Sequence, residues 1–544
     1  MRTRFLIFIL SLTLSIVNYQ LSIAQQLTQT IRGTVVDKIS NTPLPGANVL
    51  VPNSNPIKGV STDLDGNFKL MQVPVGKQNL RITYVGYKDV TVSNIDVISG
   101  KEMVLNISLD ENFVQGKEAV VTAKIEKNKP LNEMSTVSAR TFSVEETQKF
   151  AAAVNDPARA ASSFAGVIGT DDGNNTISIR GNSPTGLLWR MEGVDIPNPN
   201  HFSPPGAAGG GISILSSQLL TNSDFSTGAF AAEYGNALSG VFDLKLRKGN
   251  NEKHEYTFQA GLLGVDAAAE GPFKKGYAGS YLINYRYSTL SILGKIGVPL
   301  GDAVTNFQDL SYNISLPTNH AGNFTLFGFG GLSSQKINSS KDSVKWQENG
   351  DARYSDNFFS NTGATGITHA YILNEKTYLK SALVASKNGV GDVTDRLDDE
   401  YQSQTRFDAS SYHTKFTLTS TLNHKINSKQ SLRTGFVLNR IDYKIDWKDF
   451  NSDINALQQY INSDGTAYTA QLFGQTMYHL TEKLTVNGGI HFFELFTNKS
   501  YSVEPRASVK YEFSTIQSIS FGYGMHSQLQ PIEVYFAEFT DANG

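Results

Sequence analysis

The sequence predicts a mainly β protein: an N-terminal β-sandwich, a glycine-rich mixed α/β region, and an antiparallel transmembrane β-barrel. Three observations carry this reading. Residues 29–110 are short β-rich runs cut by turn signals. After residue 25 no run of 18 apolar residues occurs, so a chain that crosses a membrane must do so as a closed barrel. From residue 251 onward, long segments alternate apolar and polar residues between polar turns.

The chain begins MRTRFLIFILSLTLSIVNYQLSIAQQ. Arg2 and Arg4 precede an apolar stretch from Phe5 to Val17, and Ser22-Ile23-Ala24 is a small-x-small cleavage pattern. This reads as a secretory signal peptide over 1–24; a membrane anchor is the alternative, and the apolar run is short for one. The sequence contains no Cys. A lipid anchor on cysteine is thereby excluded, and an exported chain without disulfides depends on packing and strand pairing alone. A net charge of −3 gives no electrostatic reason to expect nucleic acid. The 23 Tyr and 31 Phe against 17 Pro exclude a disordered chain and suit strands.

Between the turns of residues 25–110 lie TVVD, NVLV, FKLM, LRITYV, VTVSNIDVI and MVLNISL, each of strand size. About seven strands in a sandwich are expected. Asp63-x-Asp65-Gly66 has the look of a calcium loop, but Pro74 stands where such a loop needs a bidentate Glu. A hairpin turn with Phe68 entering the core is the expectation.

Residues 111–130 read as a polar linker, and 131–250 as a mixed region. Ser143, Glu145 and Glu146 mark one helix start. Asn155 or Asp156 before Pro157 marks another, with proline at the first helical position. The stretch ISIRGNSPTGLLWRMEGVDIPNPNHF, residues 177–202, sets charges beside glycines.

The barrel reading rests on facing alternation. Tyr281, Ile283, Tyr285 and Tyr287 oppose Ser280, Asn284 and Arg286, with Leu282 as the exception. Phe416, Leu418 and Leu422 oppose Lys415, Thr417, Thr419 and Thr421. Further hairpins are expected at 470–480 with 484–494 and at 506–513 with 516–527. INSKQ and LTEKL read as short turns, and residues 335–357 and 386–408 as long polar loops. Strands and loops recurring every 20–25 residues give roughly 12–14 strands over 251–544. That is too few to close around an internal domain, so an open sheet and a C-terminally truncated chain are expected.

This order of parts resembles a TonB-dependent outer-membrane receptor of the Bacteroidetes type. Residues 33–35, 43–49, 62–68 and 84–87 resemble its carboxypeptidase regulatory-like domain. In the plug region the family motifs fall on Ile179-Arg180-Gly181, Met191-Glu192-Gly193-Val194-Asp195, Thr227-Gly228-Ala229-Phe230, and Glu233-Tyr234-Gly235 through Gly240-Val241. Ser280–Ser288, Glu504-Pro505-Arg506, Tyr523-Gly524 and Gln528 resemble its barrel strands. The resemblance makes 131–250 a plug inside the barrel 251–544, and Glu118-Ala119-Val120-Val121-Thr122-Ala123 the TonB box. There an extended segment would add a strand to TonB and carry the pull of the inner-membrane motor. In the plug, glycines would let strands pass close to the barrel wall, and Arg180, Glu192 and Asp195 would make charged contacts that seal it or merely stabilise it.

The resemblance implies uptake of a scarce nutrient: iron chelate, corrinoid, glycan or peptide. The implied partners are TonB with its motor, an extracellular small ligand, outer-membrane lipid and, in addition, a surface lipoprotein. A non-transporting surface protein, such as an adhesin or assembly component, is the alternative. No enzyme, cofactor or metal is expected. His491-x-x-Glu494 has the spacing of a zinc pair, but on a strand positions i and i+3 face opposite ways, and only His526 lies downstream.

Overall fold

The computed structural model describes residues 27–536, except 53, 113–129, 143–146, 148–154, 171, 262–263, 296–302 and 515–516. The signal-peptide reading, the 118–123 segment and the helix start at Ser143 lie outside the described residues. The chain divides into two compact units, Met1–Ile125 and Glu126–Gly544.

The first unit is a seven-stranded sandwich. One sheet orders Asn67–Pro74, Thr28–Asp37 and Met103–Leu109; the other orders Lys58–Ser61, Asn48–Val51, Gly76–Thr83 and Val90–Val97. Alternation sends Ile31, Val35, Val49, Phe68, Leu80, Ile82 and Leu109 into one buried core between them. The short strand Lys58–Ser61 has no counterpart among the runs read from the sequence. Asp63 spends its carboxylate on its own turn, accepting from the N–H groups of Asp65 at 3.0 Å and Asn67 at 2.7 Å. That is the hairpin reading of this loop.

The second unit holds a small mixed domain against a large sheet. The small domain is built on five strands in the order Val194–Asp195, Leu187–Met191, Gly240–Leu244, Ser223–Ser226, Ala139–Phe142. Phe242 organises its core: it stacks on Trp189 at 4.4 Å and meets Phe225 at 4.4 Å and Phe142 edge-on at 5.9 Å. The helix predicted after Asp156 spans only Pro157–Ala161. Asp156 caps it, accepting from Ala158 N at 2.7 Å, with Pro157 at the first position.

The large sheet has thirteen antiparallel strands, from Glu255–Ala260 to Gln517–Gly524, each paired with the next in sequence. Its first and last strands do not pair with each other, so the sheet is open, with a strand number inside the range expected from sequence. The two faces are inverted relative to a soluble sandwich. Along one strand Thr417 is 1% exposed and Leu418 44%. Likewise Thr469, Gln471, Asn487, His491 and Glu504 are buried on the face that meets the small domain, while Tyr468, Leu472, Ile490 and Val503 are exposed on the other.

One expectation is overturned. Residues 386–408, read as a long polar loop, are mostly strand: Thr377–Leu397 and Ser403–Asn427 are 21 and 25 residues long and pair through Leu397↔Ser403. A spanning strand needs only about 9–11 residues. Beyond that length both faces of the hairpin are wet, the apolar alternation stops, and the polarity looks like a loop although the backbone ladder continues. The other expected loop, 335–357, does hold a connection, with a helix at Ser343–Glu348 and a 3-10 turn at Gly350–Arg353.

Candidate functional site

The motif residues of the small domain converge on its contact with the sheet. Met191↔Val194 closes a two-residue hairpin turn, with Glu192 at φ 53° and Gly193 at φ 90°. Two positive φ values match the right-handed twist of the strands, and Gly193 is free to adopt one. Glu192 is not free in this way, since a side chain at positive φ is strained. Its carboxylate accepts from Leu246 N at 2.8 Å and pairs with Lys380 of the sheet at 2.7 Å. Burial pushes that carboxyl up, but the Lys380 and Lys245 ammoniums more than offset this, and it titrates below the usual range.

Asp195 meets the sheet through its backbone, its carbonyl accepting from Lys415 Nζ at 2.9 Å. Its carboxylate faces Arg190 within the small domain at 3.8 Å. Arg180 departs from expectation. It makes no charged contact with the sheet; its guanidinium donates to Ser138 Oγ at 2.8 Å and Thr227 Oγ1 at 3.3 Å, both within the small domain. With φ values of 53° and 79°, Arg180-Gly181 is a turn, and its charge stays at an exposed position where water already solvates it.

The strongest cluster centres on Glu233. It pairs with Arg190 at 3.1 Å and with Arg433 of the sheet, and it accepts from Asn132 Nδ2 at 2.8 Å. Asn132 also donates to the Tyr234 hydroxyl at 2.9 Å, and that hydroxyl donates to Asp243 at 3.0 Å. Burial alone would raise the Glu233 carboxyl, but the Arg433 and Arg190 guanidiniums draw it down to about 2. Asp224 nearby takes no such cation. Burial pushes its carboxyl up even though it accepts from Leu131 and Asn132 N–H.

Beside this cluster the backbone of 231–236 is pinned to the sheet. Arg506 donates to the carbonyls of Ala231 at 2.5 Å and Tyr234 at 2.6 Å. Gln475 accepts from Ala232 N at 2.6 Å, and His491 Nδ1 lies 2.8 Å from Ala232 O. Gly235 passes so close that a Cβ would fall 2.3 Å from His491 Nε2 and 2.5 Å from Gln471 Oε1. Gly228 lies in the loop before this segment, and Gly240 opens a central strand beside Ile179. A third anchor is the buried pair His201–Asp309 at 3.1 Å, which Arg286 shares at 2.7 Å. His491 is buried against the small domain, with Nδ1 on Ala232 O.

Sequence reasoning missed Arg190, Asn132, Arg433 and Lys380, and it named Arg506 within a barrel-strand motif without its hold on the small domain. Only Arg190 carried a local signal, as a charge inside the apolar run LLWRM.

An open sheet with a polar lining and an internal domain seated on it by buried ion pairs is the architecture of a plugged outer-membrane barrel. The relatives agree. Residues 31–121 match the CarboxypepD_reg-like domain. The chain is 26% identical over 290 residues to the TonB-dependent transporter Oar of Myxococcus xanthus, covering 51% of this chain and 25% of that protein. It thus spans about a quarter of the length of that curated relative. In fold it resembles the ferric enterobactin receptor of Pseudomonas aeruginosa, with a TM-score of 0.51 and 14% identity over 73% of this chain and 62% of that one. It also resembles the outer-membrane transporter YddB of Escherichia coli, with a TM-score of 0.50 and 12% identity over the same shares. By these comparisons the chain is similar to TonB-dependent transporters and receptors, and residues 31–121 to a carboxypeptidase regulatory-like domain. The relatives are named as receptors and transporters, not enzymes.

Proposed function

We propose that this chain is the receptor and plug portion of an energy-coupled outer-membrane transporter. The observation that carries the reading is the plug's seat. Glu192, Glu233 and the 231–236 backbone meet the sheet through ion pairs and hydrogen bonds. Polar contacts of this kind can exchange for water when a force moves the plug, whereas an apolar seal would have to expose its surface. Residues 118–123 serve as the TonB box, the sandwich lies in the periplasm, and the ligand enters from outside between loops and plug. Val121→Pro removes a backbone donor needed for strand addition. It is expected to abolish energised uptake in cells offered labelled ferric chelate, cobalamin or oligosaccharide, with surface expression and ligand binding intact. Uptake unchanged by this variant or by loss of TonB would favour a non-transporting surface protein.

A further inference from the structure

The connection 338–353 and the hairpin turn 398–402 enclose a cleft of about 680 Å³ at one end of the sheet. We infer that it is a binding site for a neutral saccharide; the inference rests on the receptor reading only for the role of the bound ligand. Part of the cleft is already fixed. Trp346 donates its indole N–H to Ser340 O at 2.6 Å, Arg353 lies over its ring at 4.5 Å, and Tyr401 meets it at 5.2 Å. Arg353 is held in turn by Leu397 O at 3.0 Å and by Asp399 at 2.8 Å.

Other polar groups of the lining have no hydrogen-bond partner among the described residues. Among the described residues, the hydroxyls of Tyr354 and Tyr401 have no hydrogen-bond partner. The Arg396 guanidinium, 5.9 Å over the Tyr354 ring, makes neither a hydrogen bond nor an ion pair. These are donors and acceptors arranged around aromatic walls without internal use.

Tyr401 adds an independent observation. It sits at φ 61° in a turn closed by Asp398, whose carboxylate accepts from Glu400 N at 2.9 Å and Gln402 N at 2.8 Å. Glycine or asparagine would satisfy that turn without strain. A tyrosine there is strained, and at 41% exposure its burial does not offset the cost. The ring is therefore held where a ligand can meet it.

Charge decides the ligand class. Arg353 and Arg396 are balanced by Asp351 and Asp399, and the closest of these pairs is already made. A polyanionic chelate finds one available cation, and a basic peptide finds no surplus of carboxylates. A saccharide presents apolar C–H faces to the aromatic rings and hydroxyls to Arg396 and the two tyrosines, and needs no net charge.

The test uses the purified full chain in detergent, titrated with maltohexaose, cellohexaose, mannohexaose and xylohexaose, and with a ferric tris-catecholate as the anionic comparison. At least one hexaose is expected to saturate and shift tryptophan emission through Trp346. Arg396→Gln and Tyr401→Gly should each weaken that binding at least tenfold. Tyr401→Gly should at the same time leave the melting temperature equal or higher, because glycine relieves the turn; a merely structural tyrosine would not separate the two readouts. Binding of no hexaose, unchanged affinity in both variants, or binding of the ferric complex alone would overturn the assignment. Energised uptake measured in parallel separates the two readings. A hexaose bound through the cleft but not carried leaves the cleft standing and defeats the transporter. A hexaose carried with unchanged affinity in the variants does the reverse.

Discussion

The sandwich and the large sheet use the same two-residue alternation to opposite ends. In the sandwich, Ile31, Val35, Leu80 and Ile82 point inward, and Arg81 between the last two faces water. In the sheet, Thr417, Gln471, Asn487 and Glu504 point inward and Leu418, Leu472 and Ile490 point out. The sandwich is held by area removed from water. The small domain is held to the sheet by polar groups that find partners, and each partner lost leaves a buried group unsatisfied. Alternation alone therefore does not say which face is the inside; the identity of the partners does.

The largest expected effect tests the polar side of this contrast. Glu233→Gln leaves Arg190 and Arg433 without their shared counter-charge. It should cost on the order of 3–5 kcal/mol of plug stability, read as a lower denaturation midpoint and faster proteolysis within 131–250. The acid dependence has a definite sign. The folded pKa of Glu233, about 2, lies below the ordinary carboxyl value. Its contribution is thus complete above that ordinary value and is lost as pH falls toward 2. Glu233→Gln should remove this acid-sensitive step; a step that persists in the variant assigns it elsewhere.

A smaller effect tests the apolar side with one substitution in two places. Leu472 and Met71 are 54% and 64% exposed. Leu472→Arg on the outward face of the sheet should destabilise the protein in lipid by about 2–4 kcal/mol, if that residue faces the bilayer midplane. Met71→Arg on the sandwich should stay within about 0.5 kcal/mol. Equal effects in lipid vesicles would mean that the two exposed faces meet the same solvent.

The smallest effect concerns the turn at Asp63. Residues 27–112 expressed alone should fold as a soluble sandwich without metal. Asp63→Asn, which keeps an acceptor for the two turn N–H groups, should change stability by no more than about 0.5 kcal/mol. A melting temperature that rises sharply with calcium would restore the metal-loop reading.

What the sequence determined by itself was whatever depends on neighbours along the chain. Turn residues and alternation specify six of the seven strands of the sandwich, and Asp156-Pro157 specifies a capped helix start. The facing of Ser280–Tyr287 and of Lys415–Leu422 follows from a period of two. Tertiary structure decided the rest. Glu233 and Arg433 lie 200 residues apart, and no local pattern states which strand register brings them together. Glu192, Arg180 and Asp195 looked alike as charges beside tight turns, yet only Glu192 reaches a cation of the sheet with its side chain. The hairpin 386–408 was read as a loop because sequence polarity reports the solvent around a segment, whereas strand pairing reports the backbone partner beside it. Where both faces of a ladder are wet the two signals separate, and only the fold shows the second.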